Sequence, residues 1–184
     1  MMTTTKQPPP LDIQRYHVED LVFRALREYD PSQKTSGAID VDFEVQQDEV
    51  STRDYRISMH IQLAANGYTA EENAPYTVDM TIIGYFTFAE GTAEDVSQKM
   101  IYINGPAILF GIARGITGQA TGASKHGQFV LPTVNFVEIE KARLELENAR
   151  IQKELAEAER KLAEAQKELA AAQASTPDSE QGND

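Results

Sequence analysis

Tyr55-Arg-Ile-Ser-Met-His-Ile-Gln-Leu63 is the stretch on which the fold turns. Tyr55, Ile57, Met59, Ile61 and Leu63 are apolar, and Arg56, Ser58, His60 and Gln62 lie between them. Strict alternation sends the two sets to opposite faces, so the segment reads as an antiparallel strand with one buried face. The pattern recurs on both sides. Upstream, Ile39, Val41, Phe43 and Val45 alternate with Asp40, Asp42 and Glu44. Downstream, Tyr76, Val78, Met80 and Ile82 alternate with Thr77, Asp79 and Thr81. Residues 48–54 and 66–75 are polar turn regions, and the shorter of them predicts a hairpin. Residues 13–23 are a fourth strand candidate with weaker alternation.

Beyond Phe88 the period changes. Residues 92–101 read as a helix capped by Thr92. Pro106 then suits the first turn of a second helix, residues 107–119. Gly111, Gly115, Gly118 and Gly122 share one face of that helix. Each interior glycine costs about 1 kcal/mol relative to alanine, so other contacts must hold the helix. Two readings stay open. Gly111, Gly115 and Gly118 admit a close helix–helix contact across a subunit boundary, or the helix ends near Gly115 or Gly118. Asn104, Arg114 and Gln119 argue against a membrane dimer motif.

From Val137 the alphabet narrows to Glu, Lys, Arg, Ala, Leu and Gln, and residues 153–159, 160–166 and 167–173 repeat at period seven. Leu155, Leu162 and Leu169 mark one seam position; Ile151, Ala158, Ala165 and Ala172 mark the other. That is a modest coiled-coil pattern, because alanine buries little. A helix over residues 137–173 would extend ~55 Å. It reads either as a docking or oligomerising arm or as a solvated single helix. The predicted organisation is thus a disordered arm at 1–10, an α+β domain at 11–136, the long helix at 137–174 and a disordered tail at 175–184.

Composition narrows the function. The chain has 184 residues, no cysteine and a net charge of −12. No disulfide framework or thiolate metal site is possible. An acidic chain is poorly suited to nucleic acid or an anionic membrane. No apolar run approaches the ~18 residues of a membrane span, and residues 1–10 lack the layout of a secretory signal. His17, His60 and His126 lie on separate segments without metal-ligand spacing. No nucleophile elbow or phosphate loop is present, and Asp40, Asp42 and Glu44 read as a solvated strand face. The residues alone give an acidic α+β domain with a helical tail, no cofactor and no enzyme signature.

Four segments carry a resemblance. Residues 11–23, Leu-Asp-Ile-Gln-Arg-Tyr-His-Val-Glu-Asp-Leu-Val-Phe, resemble the opening strand of the SecB family of protein-export chaperones. Gly84-Tyr-Phe86 is similar to the family's Gly-Ile-Phe at a strand end. Asn104-Gly-Pro-Ala-Ile-Leu-Phe-Gly-Ile-Ala-Arg114 resembles its Pro-x-Ile-Leu-Phe-Pro-Tyr-Ala-Arg helix. Val130-Leu-Pro-Thr-Val-Asn-Phe136 resembles its Leu-x-Pro-Val-Asn-Phe segment. The order is the family's, over residues 11–139. Phe110-Gly-Ile-Ala-Arg114-Gly115 departs from Phe-Pro-Tyr-Ala-Arg-Glu, and the long C-terminal helix exceeds the family's short one.

The resemblance implies a four-stranded antiparallel sheet with two helices on one side, in a cytoplasmic homotetramer built as a dimer of dimers. It implies an ATP-independent holdase that keeps unfolded precursors export-competent and delivers them to the motor ATPase SecA. It points the client groove at Tyr29, Val41, Phe43, Val45, Leu131, Phe136 and Ile139, although alternation does not separate a core face from a groove face. It points the SecA-docking face at Asp20 and Asp79. Two further docking positions depart, with Arg24 for an acid and Thr77 for a leucine. The alternative is a specialised SecB-like chaperone for a dedicated client, such as the antitoxin of a toxin–antitoxin–chaperone system. A scaffold protein with an oligomerising helix is the reading from another class.

Overall fold

The alternating segments become the strands of one sheet. The structure, a computed structural model, describes residues 10–35, 37–63 and 73–174, with side chains through Gln166. The expected arm at 1–10 (but for Pro10), the tail at 175–184 and most of the turn region at 66–75 lie outside these residues. β1 (Leu11–Ala25), β2 (Ile39–Gln47), β3 (Asp54–Leu63) and β4 (Tyr76–Phe88) are followed by α1 (Glu94–Thr121) and α2 (Phe136–Ala174). The sheet order is β1-β4-β3-β2, with each neighbouring pair antiparallel. This is the α+β arrangement of four strands and two helices.

The pairing explains which alternation is clean. Ile57, Met59 and Ile61 of β3 lie opposite Gly84, Ile82 and Met80 of β4. Ile57, Met59, Ile61, Met80 and Ile82 have no exposed surface. Full burial of such a side chain stabilises by about 1.5–3 kcal/mol, so the two central strands anchor the core. β1 alternates weakly because it is bulged between Ile13 and Arg15 and again between Val18 and Asp20. Gln14 and Glu19 are the extra residues, and each shifts the inward set by one. Leu11, Ile13, Tyr16, Val18, Leu21 and Phe23 therefore share the inner face, opposite Phe88, Phe86, Gly84, Ile82, Met80 and Val78. β2 and β3 form the expected hairpin. Asp48 Oδ1 accepts hydrogen bonds from the amides of Val50 and Ser51 in its turn.

α1 corrects the two-helix expectation. It is one helix of 28 residues with Pro106 inside it. Proline removes one intrahelical donor, but Pro106 is buried and the helix runs through. Thr92 is not its cap: the first turn follows Ala93 with no side-chain cap, and Thr92 Oγ1 donates to Ala89 O instead. Ile101, Leu109, Phe110 and Ala113 are buried, and α1 contacts all four strands. Close approach needs Gly105, where an added Cβ would lie 2.5 Å from Ile57 Cδ1. Gly84 serves likewise, its absent Cβ falling 3.0 Å from Leu109 Cδ1. α1 is long and apolar enough to cross a membrane by length and composition. A core helix can share that length and composition, and the buried stripe of α1 packs against the sheet.

Two units emerge, Met1–Val137 and Glu138–Asp184. α2 begins at Phe136 where Asn135 Oδ1 accepts the amide of Val137, an N-cap bond. Its 39 residues span about 58 Å. From Leu144 to Gln166 its side chains are exposed, and the helix is laced by charge pairs four residues apart, among them Arg143–Glu147, Arg150–Glu154 and Glu157–Lys161.

Candidate functional site

Among the described residues β2 stands at an edge of the sheet, with a strand on one side only. Val41, Phe43 and Val45 share the inner face with Ile61, Met59 and Ile57. The β3 residues are wholly buried, whereas the three on β2 are half-buried. The difference is positional: β3 has a strand on each side, and β2 has one. Beside Phe43 stands an aromatic wall. The Phe43 ring centroid is 6.1 Å from that of Phe136, which is 5.7 Å from Phe110, both pairs edge to face. Leu131 is fully buried and Phe136 is 5% exposed. These two nominated groove residues therefore have almost no surface of their own to offer. Ile139 lies in the second unit and is half-buried.

Tyr29 lies in the crossover from β1 to β2, which must pass the ends of β4 and β3. That crossover is braced on two sides. Asp30 N donates to Asn73 Oδ1 at 2.9 Å, and Asn73 Nδ2 donates to Asp30 O at 2.8 Å. The Tyr29 ring packs edge to face on His126 at 5.0 Å. His126 Nε2 lies 2.6 Å from Leu26 O, and its amide donates to Tyr76 Oη, which donates to Gly127 O. The α1–α2 connection is thereby tied to the crossover and to β4. Arg114 Nε donates to Leu131 O, and Thr121 Oγ1 accepts the Phe129 amide. None of these braces was legible as a site, because each joins residues distant in sequence.

Asp20 and Asp79 lie on the outer sheet face, diagonal to each other through the pairs Asp20–Thr81 and Val22–Asp79. Arg24 is exposed on that face, opposite Thr77. His60 Nε2 lies 2.8 Å from Asp79 Oδ1, and Gln62 Nε2 donates to Oδ2. The His60 hydrogen bond, opposed by partial desolvation and aided by Gln62, holds the Asp79 carboxyl below its ordinary value. Asp40, Asp42 and Glu44 also point outward, opposite Gln62, His60 and Ser58.

The glycine face of α1 divides. Added Cβ atoms at Gly111 and Gly115 would meet nothing within 4 Å. Gly118 differs from the expectation that grouped it with them. Its Cβ would lie 3.1 Å from Gln128 Nε2, so the chain's own linker occupies that face. A cleft of about 620 Å³ opens between Gln14, Gln46, Asp48, Tyr55, Arg56 and Tyr85. Its lining mixes polar side chains with Tyr55, Tyr85 and Phe86, and it contains none of the nominated groove residues. Among the described residues, no cluster of three His, Asp or Glu side chains could hold a metal ion.

Comparison with known proteins follows from this geometry. A Mycobacterium tuberculosis structure, the Rv1957 SecB-like chaperone in complex with a ChAD peptide from the Rv1956 HigA1 antitoxin, matches with TM-score 0.45 and 18% identity, over 68% of this chain and 91% of that one. A protein of unknown function from Streptococcus agalactiae matches with TM-score 0.36 and 12% identity, over 67% and 97%. No curated protein matches. The sequence profile described as preprotein translocase subunit SecB covers residues 4–147, most of the chain, and with it the four motif segments. The chain therefore belongs to the SecB family of chaperones.

Proposed function

We propose that this chain is an ATP-independent, cytoplasmic holdase that binds unfolded polypeptide along the β2 edge and keeps it competent for export. The observation that carries the reading is the half-buried row Val41, Phe43 and Val45 on an edge strand beside the Phe136 wall. An unfolded client brings apolar side chains and unpaired backbone. The row buries the former at about 25 cal/mol per Å². The free edge of β2 accepts the latter by strand addition. Neither term reads an exact sequence, so one surface serves many clients, and several weak segments of one client add through effective concentration. Tyr29 extends the surface at the crossover, and Ile139 is nominated by the family resemblance alone.

Family membership supports delivery to SecA through Asp20 and Asp79, and a homotetramer arranged as a dimer of dimers. The open face at Gly111 and Gly115, with Ile108 38% exposed beside it, supports a close helix contact between copies. Membrane insertion and nucleic-acid binding form no part of the proposal.

Arg24 favours a second reading. A cation on the docking face weakens attraction for a basic partner, and a dedicated client, such as an antitoxin, would not need that face. Purified SecA distinguishes the two. Export service predicts binding that strengthens in Arg24→Glu; dedicated service predicts none in the unaltered chain. The holdase itself is tested by diluting a urea-unfolded reporter protein into buffer with the chain and recording light scattering. Suppression without ATP is expected. Unchanged aggregation would leave the scaffold reading.

A further inference from the structure

The second unit presents apolar side chains with no use in the reading above. Leu144, Ile151, Leu155 and Leu162 of α2 are 45%, 52%, 52% and 61% exposed, with Ala158 and Ala165 exposed between them. They follow a seven-residue period and so lie on one side of the helix. We propose that this seam pairs antiparallel with the seam of a second copy of the chain. The inference does not depend on the chaperone function.

Charge and volume select both occupant and direction. Residues 138–168 carry nine acids and seven bases, so two arms approach without the repulsion that the net charge of −12 would impose. In an antiparallel register centred between residues 156 and 157, Leu155 of one arm faces Ala158 of the other, and Ile151 faces Leu162. Leu155 thus sets a large side chain against a small one and Ile151 meets Leu162, so no layer of this register pairs two alanines. Glu154 then flanks Lys161 of the second copy, twice by symmetry. Their present partners are exposed Arg150 and Glu157, at 2.8 and 2.9 Å, and such surface pairs exchange at little cost. A parallel in-register pair would instead stack Ala158 on Ala158 and Ala165 on Ala165, and set Glu154 against Glu159. Asn148 also lies on the seam; antiparallel pairing sets it opposite Ala165 rather than a second asparagine.

The absence of native cysteine makes the test direct. Full-length Ile151→Cys and Leu162→Cys chains are refolded together and oxidised mildly. The proposal predicts a covalent dimer containing one chain of each kind, little from either variant alone, and loss of the product when Leu155→Glu is added. Glutamate is a strong helix former, so circular dichroism should show the arm intact. Lys153→Cys mixed with Arg160→Cys reports chance collision on the outward face. A product no greater than that control would overturn the proposal and leave a solvated single helix. Leu162→Cys pairing mainly with itself would overturn the antiparallel direction.

Discussion

Gly105 illustrates how one residue sets the approach of α1 to the sheet. Alanine there would gain up to about 1 kcal/mol of helix propensity. Its methyl would also enter the space of Ile57 Cδ1, and Ile57 is fully enclosed. Overpacking of a closed core costs about 1–3 kcal/mol, so the steric term wins. Gly105→Ala should lower the urea midpoint. Ile57→Val in the same chain should return much of the loss, although Ile57→Val alone costs about 0.5–1.5 kcal/mol. Two threonines on α1 offer a paired contrast. Thr117 Oγ1 is buried without a hydrogen-bond partner, whereas Thr121 Oγ1 donates to Thr117 O and accepts the Phe129 amide. Thr117→Val should be neutral or stabilising, and Thr121→Val should cost about 1 kcal/mol or more, because it takes the partner from the part-buried Phe129 amide. Thermal unfolding of the two variants checks this. The sequence names these residues but not what they touch, since Ile57 and Gly105 meet only once the sheet has formed.

At the scale of elements, β3 and β4 were legible because both are central, and their inner residues had to be apolar at every second position. β1 was blurred by its two bulges, which period two cannot represent. α1 was divided at Pro106, because a proline interior to a helix looks like a beginning until packing is seen to hold the turn. α2 is legible in the sequence from composition and the seven-residue repeat, whereas its Asn135 cap is seen only in the structure. Asn135→Ala should cost about 1 kcal/mol of helix stability, seen as reduced ellipticity in the full chain. Acid should weaken the sheet. A Thr87 hydrogen bond, aided by Ser51, lowers the Asp54 pKa, and a His60 hydrogen bond leads the lowering at Asp79. A lowered folded pKa means that the unfolded chain takes up the proton first as pH falls. Their contribution is therefore complete above the ordinary carboxylate value of about 4 and is lost as pH drops through the folded values. Both groups are largely solvated, so the effect is small. Denaturation midpoints between pH 6 and pH 3 should fall in the unaltered chain and fall less in Asp54→Asn.

On the whole molecule, family and fold were readable from four short motifs in order, but the site was readable only as a set of positions. Leu131 and Phe43 look alike in sequence; three-dimensional neighbours make one enclosed core and leave the other partly open beside Phe136. Client capture depends on that partly open row, so binding at the row is the quantity to measure. Fluorescence anisotropy of a labelled, permanently unfolded polypeptide is titrated with the full chain and with Val41→Glu/Val45→Glu, whose fold is checked by circular dichroism. The account predicts saturable binding by the unaltered chain, a loss of about tenfold or more in the folded variant, which is the roughly 1.4 kcal/mol expected from a few removed apolar contacts, and no response to ATP. Equal affinity of the two proteins, or no binding by either, would contradict it.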